Sequence, residues 1–237
     1  MTTTPAAPAR WKDLCLDATD PRLLGSFWAA VLGRRWTEQD GGDGRVEGDA
    51  PRDTIWVNAV PEPRSVKNRV HLDIEVGSLA PLLVAGATVL RPEGDDGIRW
   101  TVLADPEGGE FCAFRREDLP PHGPARLYEI VVDTLDAGSA HRQASWWAGV
   151  LGGRVVDDER GFAWLEAVPD LPVASLDFVP VPERKSAKNR IHWDVTTDDL
   201  PALLRHGATV LAGPTDRTPW HVLADPEGNE FCAFPAG

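Results

Sequence analysis

The chain has 237 residues and a formal net charge of −13, with 37 acidic against 24 basic side chains. That balance argues against a nucleic-acid partner, which needs concentrated Lys and Arg, and it favours cationic over anionic ligands. Hydrophobic residues make up 42%, enough for a real core, yet no apolar run reaches the length of a membrane span. The N-terminus does not read as a secretory leader. Cys15, Cys112 and Cys232 are too few, and odd in number, for a disulfide framework. The expected compartment is therefore the reducing cytoplasm.

In chain order, residues 1–9, which after Met1 are all Thr, Pro and Ala, lack apolar periodicity and read as a disordered tail. Leu14 to Leu16 reads as a strand. Asp20-Pro21 starts a helix, with Asp as N-cap and Pro at the first helical position. Leu24, Phe27, Trp28 and Val31 give that helix one apolar face, and Gly33 closes it. Gly41 to Gly44 is a turn, and Thr54 to Val60 is a strand with alternating Ile55, Val57 and Ala59. The pattern then recurs: strand 69–76, helix 79–85 closed by Gly86, strands 87–90, 99–103 and 110–114, with Asp105-Pro106-Glu107-Gly108 as turn chemistry.

This order, β-α-β-β-β twice, is itself repeated. Phe27-Trp28-Ala29-Ala30-Val31-Leu32-Gly33 returns as Trp146-Trp147-Ala148-Gly149-Val150-Leu151-Gly152. Lys67-Asn68-Arg69-Val70-His71-Leu72-Asp73 returns as Lys188-Asn189-Arg190-Ile191-His192-Trp193-Asp194, and Asp105-Pro106-Glu107-Gly108 as Asp225-Pro226-Glu227-Gly228. Offsets of 119, 121 and 120 residues (27 to 146, 71 to 192, 105 to 225) are too long for a solenoid unit, so each copy is a domain. The reading is a tail at 1–9, a domain at 10–114, a Pro-rich linker at 115–125 and a second domain at 126–237. A β-α-β-β-β unit has one helix-covered sheet face. Pairing two units curls the sheet into a cup, a natural small-molecule pocket.

The Phe-Trp-Ala-Ala-Val-Leu-Gly helix end, the Asn-Arg-Val-His-Leu-Asp strand and the Asp-Pro-Glu-Gly-Asn-Glu-Phe-Cys hairpin resemble those of glyoxalase-like domains of the vicinal-oxygen-chelate (VOC) superfamily, which includes the bleomycin-resistance proteins. The resemblance spans nearly the whole chain. It implies an α+β fold of two tandem VOC domains, each of two βαβββ units forming a curled, cup-shaped mixed sheet with helices outside. The copies are expected to pack together in one monomeric chain as a pseudo-dimer. The superfamily includes isomerases, epimerases, dioxygenases, thiol transferases and metal-free antibiotic-sequestering proteins, so the fold alone does not name an activity.

Metal enzymes of the superfamily take ligands from the first, fourth, fifth and eighth strands of a cup. The fifth-strand His is matched by His71 and His192. Cys112 and Cys232 fall where the eighth-strand Glu is expected, the first-strand position falls near Trp11 and Leu127, and the fourth strand offers no clear acid beyond Asp177. A metal site needs three or four converging donors, so the reading favours no cofactor. A divalent metal, if present, would use His71 and Cys112 or His192 and Cys232. Asp13 and Glu129 are candidate cup carboxylates beside these pairs, and a Cys nucleophile with a His base is a further option. Ten tryptophans against one tyrosine suggest cups walled by indoles, with Trp56, Trp100, Trp193 and Trp220 as candidates, while Trp28, Trp146 and Trp147 belong to the core. Such walls suit a flat aromatic or cationic molecule. The expected function is binding of a small organic molecule without a catalytic metal, of the antibiotic-sequestering type. Its rival is a metal-dependent lyase, isomerase or dioxygenase using His71 or His192. Lys67-Asn68-Arg69 and Lys188-Asn189-Arg190 read as solvated turn residues that close the loop, and the Asp105 and Asp225 turns read as structural.

Overall fold

A computed structural model describes residues 7–216 and 218–236. The first unit comprises β1 (Arg10–Ala18), α1 (Pro21–Leu32), β2 (Trp36–Glu38), β3 (Gly44–Val46) and β4 (Ile55–Ala59). The second has β5 (Val70–Val76), α2 (Ala80–Ala85), β6 (Thr88–Arg91), β7 (Thr101–Ala104) and β8 (Glu110–Arg115). The third has β9 (Arg126–Thr134), α3 (Ala137–Leu151), β10 (Arg154–Asp157), β11 (Ala163–Glu166) and β12 (Ser175–Pro180). The fourth has β13 (Ile191–Thr197), α4 (Leu200–Arg205), β14 (Thr209–Ala212), β15 (His221–Ala224) and β16 (Glu230–Pro235). The architecture is α+β, with two eight-stranded mixed sheets.

The partner of each unit comes from the other copy. Sheet A runs β14-β15-β16-β13-β1-β4-β3-β2 and sheet B runs β10-β11-β12-β9-β5-β8-β7-β6. Units one and four thus share one sheet, and units two and three the other. The central seams are the antiparallel pairs β1–β13 and β5–β9, one strand from each copy. Basic residues read as solvated turn positions reinforce these seams. Lys67 Nζ donates to Asp133 Oδ2 at 2.6 Å, and Lys188 Nζ donates to Asp17 Oδ2 at 2.6 Å, each bond crossing between copies.

Local chemistry explains the elements. Asp20 caps α1, its Oδ1 accepting from the Leu23 amide at 2.9 Å, and Gly33 ends it at φ 63°. In the DPEG turns, Asp105 Oδ1 accepts from the amides of Glu107 and Gly109, and Asp225 Oδ1 from those of Glu227 and Asn229. The helices cover the convex faces of the sheets and knit them together. Trp28 of α1, a sheet A unit, packs 5.3 Å from Phe111 of sheet B, and Trp147 of α3 packs 5.1 Å from Phe231 of sheet A. One continuous hydrophobic core results. Residues 1–6 of the expected tail lie outside the described residues. Pro8 and Ala9 are docked, the Pro8 carbonyl accepting from Thr197 Oγ1 at 2.7 Å and the buried Ala9 donating to the Val150 carbonyl at 3.1 Å.

Candidate functional site

Alternate residues of a strand share a face, so the concave face of each sheet can be read from its register. In cup A, on sheet A, Asp13 lies opposite Asp194, Cys15 opposite His192, and Cys15 beside Trp56 on β4. Asp194 neighbours Cys232 on β16. In cup B, Glu129 lies opposite Asp73, His71 opposite Val131, Asp73 beside Cys112, and Asp177 beside Val131. Each cup is therefore composed of residues from both copies. Both seams carry a β-bulge at the same place, between Trp11 and Asp13 in cup A and at Asp73/Ile74 in cup B, leaving Lys12 and Tyr128 as the extra residues. A bulge re-aims side chains; here it sets Lys12 and Tyr128 beside the carboxylates.

Cup A is internally neutralised. Lys12 Nζ sits 2.6 Å from Asp13 Oδ2, 3.7 Å from Asp194 Oδ2 and 4.1 Å from the centre of the Phe234 ring. Burial lowers the Lys12 pKa, but Asp13 and Asp194 outweigh it and leave it raised, so the ammonium stays charged. Trp56 Nε1 donates to the same Asp13 Oδ2 at 2.9 Å. Asp194 is pushed up by burial and by Asp13. His192 Nε2 is 3.8 Å from Cys232 Sγ, and burial lowers its pKa, so the imidazole is neutral at pH 7. An open hollow of 470 Å³ borders Lys12, Asp13 and Trp56.

Cup B has the same frame with different charges. His71 Nε2 lies 3.3 Å from Asp73 Oδ1, an oxygen with no well-aligned hydrogen bond on a residue only 5% exposed. Burial lowers the His71 pKa, yet Asp73 more than compensates and leaves it raised. Burial, then Asp177, raises Glu129 to about 8, and burial raises Asp177 to about 6. Among the described residues no Lys or Arg pairs with Asp73, Glu129 or Asp177. Phe114, Tyr128 and Trp100 cluster alongside, with Phe114 5.9 Å from Tyr128 and 5.6 Å from Trp100.

Glu129 gives a pH-dependent expectation. Its folded pKa lies above the unfolded value, so the native state binds this proton more tightly. The associated stability is complete below the unfolded pKa of about 4.3 and is lost as pH rises through about 8. Glu129→Gln removes the dependence. Because solvent reaches the site, its advantage over the parent should grow by about 2 kcal/mol, not the full linkage energy, between pH 4.5 and 9. Urea titrations at both pH values measure this, and equal differences at the two would refute it.

A glyoxalase-like domain model matches residues 13–114 and again 129–234. The chain belongs to the glyoxalase-like domain family. Its fold is that of the VOC superfamily in tandem. Glyoxalase I from Zea mays superposes at a TM-score of 0.67 and 14% identity, over 95% of this chain and 92% of that one. A putative dioxygenase from Bacillus subtilis subsp. subtilis str. 168 superposes at 0.65 and 14% identity, over 98% and 86%. The cppA protein from Streptococcus pneumoniae TIGR4 does so at 0.51 and 9% identity, over 96% and 100%. At these identities the likeness is one of fold. Among curated proteins, none matches the sequence.

Within this glyoxalase-like frame the sequence candidates divide. His192, Asp13, Cys232 and Trp56 share the face of cup A, with Trp220 stacked 4.7 Å from Phe234. His71, Cys112 and Glu129 share that of cup B, with Trp100 at its aromatic end. Trp193 does not join them. It alternates with His192 and Asp194, so it points to the convex side, 2% exposed, between Trp11 at 6.3 Å and Trp147 at 4.7 Å. The first-strand position also moves. Trp11 is core, and the residues facing the cups are Asp13 and Glu129, because the bulge shifts the register. Burial drives the Cys15, Cys112 and Cys232 thiols far above their ordinary pKa, next to carboxylates that push the same way, which argues against a Cys nucleophile. Lys12, Asp73, Asp194 and Tyr128 were not among the sequence candidates. The alternation from His71 to Asp73 and from His192 to Asp194 was a signal that could have found the two aspartates.

Proposed function

We propose that the protein binds a small organic molecule on the concave faces of its sheets without a resident catalytic metal, as antibiotic-sequestering proteins of this superfamily do. The observation that carries this reading is the Lys12 ammonium, which stands 3.7 Å from Asp194, the carboxylate that with Cys15 and His192 offers cup A donors within 4.8 Å of one another, and which bonds to Asp13 Oδ2 at 2.6 Å. A divalent ion does not fit beside that fixed positive charge, with Trp56 already donating to the same oxygen. The aromatic walls of both cups supply the apolar contact that a flat or cationic ligand requires. No helix among the described residues is long and apolar enough to cross a membrane, and three buried free cysteines suit a reducing cytoplasm.

One observation favours a second reading. His71, Asp73 and Cys112 offer ligand atoms within 4.8 Å of one another. These residues would hold a divalent ion in cup B, where its chemistry would be Lewis-acid polarisation of a substrate oxygen. In that case the aromatic cluster of Phe114, Tyr128 and Trp100 would exclude water.

Titration of the chelator-treated protein with flat aromatic compounds, followed by tryptophan fluorescence, tests the leading reading. Saturable quenching that weakens at least tenfold in Trp56→Phe or Trp100→Phe supports it. Absence of any saturable signal, or binding only after a divalent metal is added, contradicts it.

A further inference from the structure

We propose that cup B binds an organic ammonium ion, seated where the chain's own Lys12 ammonium lies in cup A. This deepens the ligand-binding reading above and rests on it.

The two seams pose the same electrostatic problem. Asp13 faces Asp194 across one antiparallel pair, and Glu129 faces Asp73 across the other. Like charges directly opposite in a sheet repel. Cup A answers with the bulged residue, Lys12, whose ammonium bonds to Asp13, approaches Asp194 and lies 4.1 Å from the Phe234 ring centre. At the equivalent bulge cup B has Tyr128. It also adds a third carboxylate, Asp177, where cup A has Trp56.

The remaining charges around cup B do not fill that role. Lys67 is committed to Asp133 at 2.6 Å. Arg116 is held by Glu75 at 2.6 Å and rests over the Phe114 and Tyr128 rings at 5.5 and 5.4 Å, pairing with none of the three acids. His71 reaches only Asp73. What remains is a set of three carboxylates, of which Asp73 alone is paired, with the His71 ring at 3.3 Å, beside aromatic faces. That combination selects an ammonium over a neutral or anionic group. Phe114 is the counterpart of Phe234, so the aromatic half of the Lys12 seat is repeated in cup B. Tyr128 takes the place of the lysine stem with a ring, leaving the charge to be brought by the ligand. An amine carrying an aromatic or compact apolar body matches both halves.

Calorimetric titration of the intact chain with phenethylamine, 2-phenylethanol and 3-phenylpropionate tests this. The amine is expected to bind with one equivalent, at least tenfold tighter than the alcohol, with the carboxylate weakest. Tyr128→Lys, which supplies the internal ammonium, should weaken the amine at least tenfold in the folded protein. Lys12→Met should open cup A and add a second equivalent. If Tyr128→Lys does not fold, Asp73→Asn with Glu129→Gln should erase the preference for amine over alcohol. Equal affinity for amine and alcohol, or full amine binding in the folded Tyr128→Lys protein, overturns the proposal while leaving ligand binding intact. Silence from all three probes, together with no fluorescence response to the aromatic panel, overturns both.

Discussion

Residues 1–120 expressed alone are expected not to form a folded monomer. Within that fragment β1 and β5 each lose the strand they pair with along the centre of a sheet, β13 and β9. Each would present a full unpaired edge and a half-covered apolar face, which drives aggregation or pairing with a second copy. The fragment also loses the Lys67–Asp133 and Lys188–Asp17 bonds across the junction. Light scattering after size exclusion should therefore show dimers or larger species. Co-refolding with residues 121–237 should give a 1:1 complex with the spectrum of the intact chain. A monomeric 1–120 fragment with cooperative unfolding would refute the cross-copy architecture.

Trp147→Ala is expected to cost about 4 kcal/mol or more. Its ring is fully buried among Trp146, Trp193 and Phe231, with centroid distances of 4.7, 4.7 and 5.1 Å. Its Nε1 also donates to Asp225 Oδ2 at 3.3 Å, an oxygen that accepts from Gln143 and Asn229 as well. Truncation leaves both a cavity and a buried carboxylate short of a donor, and these costs add. The adjacent Trp146 is half-buried, with its Nε1 bonded to the His206 carbonyl at 2.8 Å. Trp146→Ala should cost only about 1–2 kcal/mol. Urea unfolding of the two variants side by side measures the contrast. Equal losses would mean that Trp147 does not join α3 to Trp193 and Phe231 of sheet A as described.

The duplication, the helix caps and the order of strands were legible because they depend on neighbours in sequence. Asp20-Pro21, Gly33 and the DPEG turns act over three or four residues. Which unit pairs with which was not legible, since units one and two have the same pattern as units one and four. The decisive contacts, such as Lys188 with Asp17, join residues far apart in the chain. The candidate site was half legible for a related reason. Period-two alternation leads from His192 to Asp194 and places Trp193 on the opposite face. A one-residue bulge at Lys12 or Tyr128, however, leaves no mark in composition, and it sets those two residues beside the carboxylates while Trp11 enters the core.

Metal content tests the central claim most directly. The protein, purified without chelator and then equilibrated with zinc, manganese and nickel in turn, is assayed by elemental analysis after dialysis. The account predicts far less than one ion per chain, because Lys12 stands among the cup A donors and burial favours the protonated forms of Cys112, Glu129 and Asp177 in cup B, whereas a metal needs deprotonated ligands. About one tightly held ion per chain, lost on His71→Ala, would contradict it and make cup B a metal centre.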